Sequence, residues 1–248
     1  MRSLQNRLRG VARAMLACVS LGVAACATSP EAIEANDPLE PLNRRIYAVN
    51  EGFDSVLLEP ASDAYAAVAP DPVESGVRNF MTNLNQPVVF ANTVLQGRFR
   101  DAGQTAARFG LNTVFGLGGF VDVADREGVP EHHEDFGQTL AVWGVGEGPY
   151  LMLPVFGPSN IRDGVGRVVD RYPHVLNWDA EFSDSTAAWT TRGVNGLSWR
   201  SQQDELFESM DRTAIDPYVQ LRSAWRQSRA AAIRDEGDDG FDDLPDFE

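Results

Sequence analysis

Leu39, Leu42, Ile46, Val49, Phe53 and Val56 step by three and four residues, which predicts an amphipathic helix with one apolar stripe. Arg44, Arg45, Glu51 and Asp54 fall off that stripe. A core-facing helix is the first reading of such a pattern, and a helix lying along a membrane is the sharper alternative. Helix starts share a grammar. DPLE at 37–40 and DPVE at 71–74 each offer an Asp cap, a Pro at the first helical position and a Glu three residues after the cap. Asp37 and Asp71 are therefore the expected N-caps, and Asp216 before Pro217 opens a later segment in the same way.

The next stretch, NFMTNLNQPVVFANTVLQG at 79–97, carries no charge between Arg78 and Arg98. Its asparagines, threonines and glutamines make it a poor lone membrane span, and Pro87 is expected to start a new helix through Gln96. That helix is apolar over most of its surface, with Asn92 and Gln96 one turn apart on a narrow polar stripe. Such a stripe is either a satisfied core contact or the wall of a wet passage. Further helices are expected over 101–115 and 160–171, the latter with Ile161, Val165, Val168 and Val169 inward and Ser159 as its N-cap. Between them lie FGLGGFVDVA at 115–124 and WGVGEGPYLMLPVFGPSN at 143–160. Their glycines and prolines forbid long elements, yet they are the most apolar loops of the chain. Loops normally run polar over the surface, so these must be covered by protein or meet lipid. No stretch predicts a sustained sheet, and the body reads as mainly α.

The N-terminus changes the setting of this body. Arg2, Arg7, Arg9 and Arg13 precede a twelve-residue apolar core, AMLACVSLGVAA, which ends in small residues before Cys26. That is the layout of a secretory signal, too short for an anchor helix. VAAC resembles the bacterial lipoprotein signal, in which Cys26 is lipidated and becomes the first mature residue. Ala27 after it favours the outer membrane by the sorting preference of such lipoproteins. Cys18 then leaves with the signal and Cys26 is taken by lipid, so no thiol or disulfide remains to brace the fold. The expected organisation is a signal at 1–25, a flexible linker at 26–36, a helical domain at 37–234 and a disordered acidic tail at 235–248.

Charge and chemistry narrow the function. The chain holds 36 acids against 21 basic residues, and every basic residue is arginine. A net charge of −15 disfavours nucleic acid as a partner. His132-His133-Glu134-Asp135 lacks the spacing of a metal site, and Glu134 or Asp135 reads better as a cap for the segment that follows. GPSNI at 157–161 falls short of a nucleophile elbow, and GLGG at 116–119 is not a dinucleotide fingerprint. No hydrolytic, redox, metal or cofactor site is expected.

Seven motifs carry a resemblance in order along the body. They are DPLEPLNR at 37–44, NLNQP at 83–87, LNTVFGLGGFVDVA at 111–124, EDFGQTL at 134–140, WGVGEGPYLMLP at 143–154, GPSNIRD at 157–163 and DPY at 216–218. Together they resemble the MlaA/VacJ family of outer-membrane lipoproteins. The resemblance implies a single helical, ring-like domain embedded in the membrane, with glycine-rich apolar loops. It implies association with a trimeric outer-membrane porin and a central amphipathic channel for phospholipid. It also implies hand-over of that phospholipid to a periplasmic lipid-carrier protein, with no covalent bond made or broken. The lipid-path candidates are Asn92, Gln96 and the turn formed by Phe115, Gly116, Gly118, Gly119 and Phe120, which is either a hinge or lip of the passage or a tight buried turn. Interfacial aromatics are expected at Trp143, Tyr150, Trp178, Trp189 and Trp199, positions that core packing explains equally well. The alternative function is a structural adaptor that braces porins without transport.

Overall fold

The structure is a computed structural model that describes residues 30–179, 183, 185–204, 209, 212 and 214–234. The signal, Cys26 and the acidic tail lie outside the described residues. Helices dominate the rest. A short α1 (Pro30–Glu34) leads to α2 (Glu40–Phe53), which runs through one π-helical turn (Asp54–Leu58) into α3 (Glu59–Val68). The wider turn falls where Pro60 has no N–H to donate, a usual setting for such an irregularity. The long α4 (Asp71–Leu95) packs along α5 (Phe99–Phe115), and a 3₁₀ turn (Leu117–Gly119) then leads to α6 (Val123–Arg126). Beyond it come α7 (Phe136–Val142), a two-stranded antiparallel hairpin, α8 (Ile161–Asp170), α9 (Thr186–Gln202) and α10 (Pro217–Arg234). The hairpin pairs β1 (Tyr150–Leu153) with β2 (Gly157–Asn160) in the register Tyr150–Asn160 to Leu153–Gly157. Within the described residues, no helix is long and apolar enough to cross a membrane.

Several expectations are corrected by this fold. Pro87 does not begin a helix; it sits inside α4, which continues unbroken through it. The helix forgoes one backbone hydrogen bond at the proline, and its packing along α5 outweighs that local preference. Asp37 is not an N-cap either. Leu39 holds that position without a side-chain cap, while the Asp37 carboxylate is turned fully inward. Asp71 is the first residue of α4 rather than its cap, which is Pro70. Ser159 belongs to β2, and its neighbour Asn160 caps α8 by accepting from the Asp163 N–H. Asp216 does accept the Val219 N–H at the start of α10, and Asp135 accepts the Gln138 N–H at the start of α7, as read from the sequence.

One conventional apolar core exists among the described residues. Tyr150 and Met152 of β1 pack with Tyr218 of α10, and Ile46, Tyr47, Leu221 and Trp225 close around them. The Tyr150 ring meets Tyr218 and Trp225 edge-on at 6.3 and 5.7 Å. Tyr150 is thus a core residue and not an interfacial one.

Elsewhere the usual polarity is reversed. Of the stripe on α2 and its extension, Ile46 reaches the core, but Leu42, Val49, Phe53 and Val56 are exposed. Asn43, which flanks the stripe beside Leu39 and Ile46, is buried. Helix α8 is the clearest case: Ile161, Val165 and Val168 point outward, the last 64% exposed, while Arg162, Asp163 and Gly166 are buried. The inward valines expected there are therefore corrected to outward ones, with Val169 half-buried. Gly166 explains the inversion. A Cβ at this position would fall 2.5 Å from the Gly137 nitrogen, so α8 and α7 touch backbone to backbone through their small polar faces.

Candidate functional site

The interior is a set of paired polar groups. Asp37, 0% exposed, accepts from Asn43 Nδ2 at 2.7 Å, from Arg222 at 2.7 Å and from the Tyr218 hydroxyl. Asn43 also holds β1 on both sides of Leu151, donating to the Tyr150 carbonyl and accepting the Met152 N–H. Buried charges are tolerable only when paired and hydrogen-bonded in this way. A second group joins α7, α8 and α10. Arg229 of α10 forks onto both Asp135 and Asp163, and Asp163 also receives Arg162 at 3.0 Å. A cleft of about 100 Å³ opens beside it, lined by Asp135, Asp163, Arg167, Trp225 and Arg229. Burial pushes the Asp135 carboxyl up, but the Arg229 guanidinium and the Gln138 N–H outweigh it and hold the group below the usual carboxylate range. Asp170, close by, ends on the other side. Burial raises it, against the opposing Phe136 N–H and Asn92 amide.

Asn92 and Gln96 lie within this polar interior. Asn92 donates to the Val88 carbonyl at 3.0 Å and to Asp170 at 2.8 Å, and accepts from the Thr139 hydroxyl at 2.9 Å. Gln96 donates to Glu134 at 2.7 Å and to Thr139 at 3.2 Å. Both side chains are engaged as core contacts in this conformation. Glu134 in turn pairs with Arg98. His132 is hydrogen-bonded to Gln104, and His133 stands exposed beside it. Ser159 is buried with its hydroxyl on the Asn160 carbonyl.

The 115–120 segment is placed differently. Phe115, Leu117 and Phe120 are exposed, while Gly116 and Gly119 are buried beneath them. Gly116 has no room for a side chain, because a Cβ there would meet the Val121 carbonyl oxygen at 2.1 Å. Leu117, Gly118 and Gly119 follow with φ of +55°, +74° and +108°, a left-handed run that glycine tolerates and leucine does not favour. The result is a tight turn with a greasy outer rim. Among the described residues, the turn shares no side-chain hydrogen bond with Asn92 or Gln96; its polar neighbours are Asn83 and Asn79. The other apolar loop shows the same exterior, with Trp143, Val145, Val155 and Phe156 exposed. Trp178, Trp189 and Trp199 are exposed as well.

What the sequence reading missed is the polar interior itself. Asp37, Asn43, Arg108, Asn112, Asp163 and Arg229 are its main members, and the signal was indirect. Asp163 sits on the face opposite the α8 stripe and Asn43 at the edge of the α2 stripe, positions that the periodicity leaves to solvent.

Comparisons place this architecture among known proteins. Residues 35–232 match the family model described as MlaA lipoprotein. The intermembrane phospholipid transport system lipoprotein MlaA of Escherichia coli (strain K12) is 34% identical over 226 residues, covering 89% of this chain and 87% of that one. The protein of the same description from Haemophilus influenzae is 32% identical over 233 residues, 92% of each chain. A solved chain from work on the structural basis for maintenance of bacterial outer membrane lipid asymmetry superposes with a TM-score of 0.69 at 32% identity. That match covers 79% of this chain and 98% of the other.

Proposed function

We propose, from the premise that this chain belongs to the MlaA lipoprotein family, that it is an outer-membrane lipoprotein which removes mislocalised phospholipid from the outer leaflet and so maintains lipid asymmetry. The body lies in the bilayer and is tethered through lipid on Cys26. Phospholipid passes through an amphipathic route to a periplasmic lipid carrier, and a trimeric porin holds the body in place. The observation that carries this reading is the reversed polarity. Valines and phenylalanines of α2, α8 and the two apolar loops face outward, while arginines, aspartates and asparagines are paired within. Outward apolar area of this extent is costly in water and favourable against acyl chains. A phospholipid needs both environments, apolar for its tails and polar for its head group.

The 115–120 turn forms a lip of the route. Its rim of Phe115, Leu117 and Phe120 offers acyl contact, and its backbone is glycine-built. Two experiments test the proposal. In the first, full-length lipidated protein is reconstituted in vesicles with labelled phospholipid and a soluble acceptor. Intact lipid reaching the acceptor supports transport, lysophospholipid points to an enzyme, and no movement points to the porin-bracing adaptor. In the second, Gly118→Trp should change that flux while membrane attachment persists; unchanged flux sinks the lip.

A further inference from the structure

The turn at 116–120 is seated on one face of α4, where Asn83 donates to its backbone. Asn83, on the face of α4 that meets the turn, is 3% exposed. Its Nδ2 donates to the Gly118 carbonyl at 3.1 Å and to the Thr113 hydroxyl oxygen at 3.0 Å. Gly119 is pressed against it so closely that a Cβ would fall 2.5 Å from the Asn83 Cβ. One turn back along α4, Asn79 reaches the Phe120 carbonyl at a long 3.5 Å, and the Phe80 ring stacks on Phe120 at 4.8 Å. Gly76 lets Phe120 settle, since a Cβ there would sit 3.3 Å from the ring. One face of α4, from Gly76 through Asn79 and Phe80 to Asn83, is thus a seat for the turn.

The seat is not fully satisfied. Asn83 Oδ1 is buried without a hydrogen-bond partner. The amide cannot simply be reversed to correct this, because the Gly118 carbonyl requires a donor. Holding the turn down therefore leaves one buried acceptor unmet and keeps Leu117, a non-glycine residue, in the left-handed region. Releasing the turn relieves both costs and forfeits the amide contacts and the ring stack. Opposed terms of similar size describe a segment that moves, in contrast to a rigid corner.

We propose that Asn83 is a positioning residue of the lipid route: its amide latches the 116–120 turn in the seated position, and loss of that latch frees the lip. The inference rests on the transport reading above. A spin label on Leu117→Cys, an exposed site in a described body that has no other cysteine, reports the turn in full-length lipidated protein in phospholipid vesicles. Asn83→Ala removes both donor contacts, of which one, to the Gly118 carbonyl, holds the turn itself, and should raise the mobile population about fivefold, the weight of that one hydrogen bond. Asn83→Asp keeps the shape, replaces the donor with oxygen facing the Gly118 carbonyl, and should do the same if the alanine variant fails to fold. Asn85→Ala, at an exposed position of the same helix, should leave the spectrum unchanged. An unchanged spectrum in folded Asn83 variants overturns the latch. Raised mobility with altered transfer of intact lipid supports the whole inference. Raised mobility with unaltered transfer supports the latch and overturns its place in the lipid route.

Discussion

The Tyr150–Met152–Tyr218 cluster and helix α8 lie close together, yet they solve burial in opposite ways. In the cluster, aromatic rings and a methionine are hidden, and β1 alternates between buried and half-buried residues as a packed strand should. In α8, the valines are shown to the outside and an arginine, an aspartate and a glycine are hidden. The difference teaches what holds each region. Apolar area holds the first, through about 25 cal/mol per Å² removed from water. The second is held by charge pairing and by close backbone approach at Gly137 and Gly166. Water outside would punish such a helix, and lipid outside would not.

The comparison breaks first at Asp37, where the two regimes meet. Asp37→Ala removes the acceptor of Arg222, Tyr218 and Asn43 beneath the aromatic cluster. It leaves a buried arginine short of its closest partner and should cost about 3–5 kcal/mol, read as a denaturation midpoint in detergent. An effect below about 1 kcal/mol would mean that rings alone hold the region. Next in size is Val168→Asp. On an outward face it should leave circular dichroism in detergent unchanged while costing about 2–3 kcal/mol of vesicle partitioning. If it unfolds the protein instead, α8 faces a core after all.

Acid sharpens the contrast within α7 and α8. Asp135 sits below its ordinary range when folded, so its contribution is complete above that range and is lost as pH falls through it. Asp170 sits above its ordinary range, so its contribution is complete at low pH and fades as pH rises. Unfolding midpoints followed from neutral pH down to about 3 should flatten in Asp135→Asn and steepen in Asp170→Asn. The smallest effect is expected at Asp216, which caps α10 and meets Arg44 in a partly exposed pair. Asp216→Ala should lower stability by about 1 kcal/mol, nearly all of it from the cap.

Much of the fold was legible from residue spacing. The helix starting near residue 100, the caps at Asp135 and Asp216, and, among the described residues, a sheet no larger than one hairpin follow from local pattern. The direction in which each face points was not legible. Periodicity says which residues share a side of a helix, and it is silent on which side meets the solvent. The α2 stripe therefore reads as core-facing first and membrane-lying second, and the α8 valines as inward; in the fold Leu42, Val49, Phe53 and Val56 face outward with Ile161, Val165 and Val168, while Ile46 reaches the core. Asp37 escaped for a related reason. DPLE is a genuine capping pattern, but Tyr218 and Arg222 lie far along the chain, and no local rule brings them to the carboxylate. At the candidate site, the glycines of 116–119 marked the turn plainly, whereas Asn83 looked like one more polar interruption of an apolar stretch.

The outward valines and phenylalanines also govern how such a molecule travels. A chain greasier outside than in cannot wait, finished, in an aqueous compartment; its copies would adhere to one another or to whatever hydrocarbon came first. Delivery and final folding become one problem, to be solved under escort or at the destination itself.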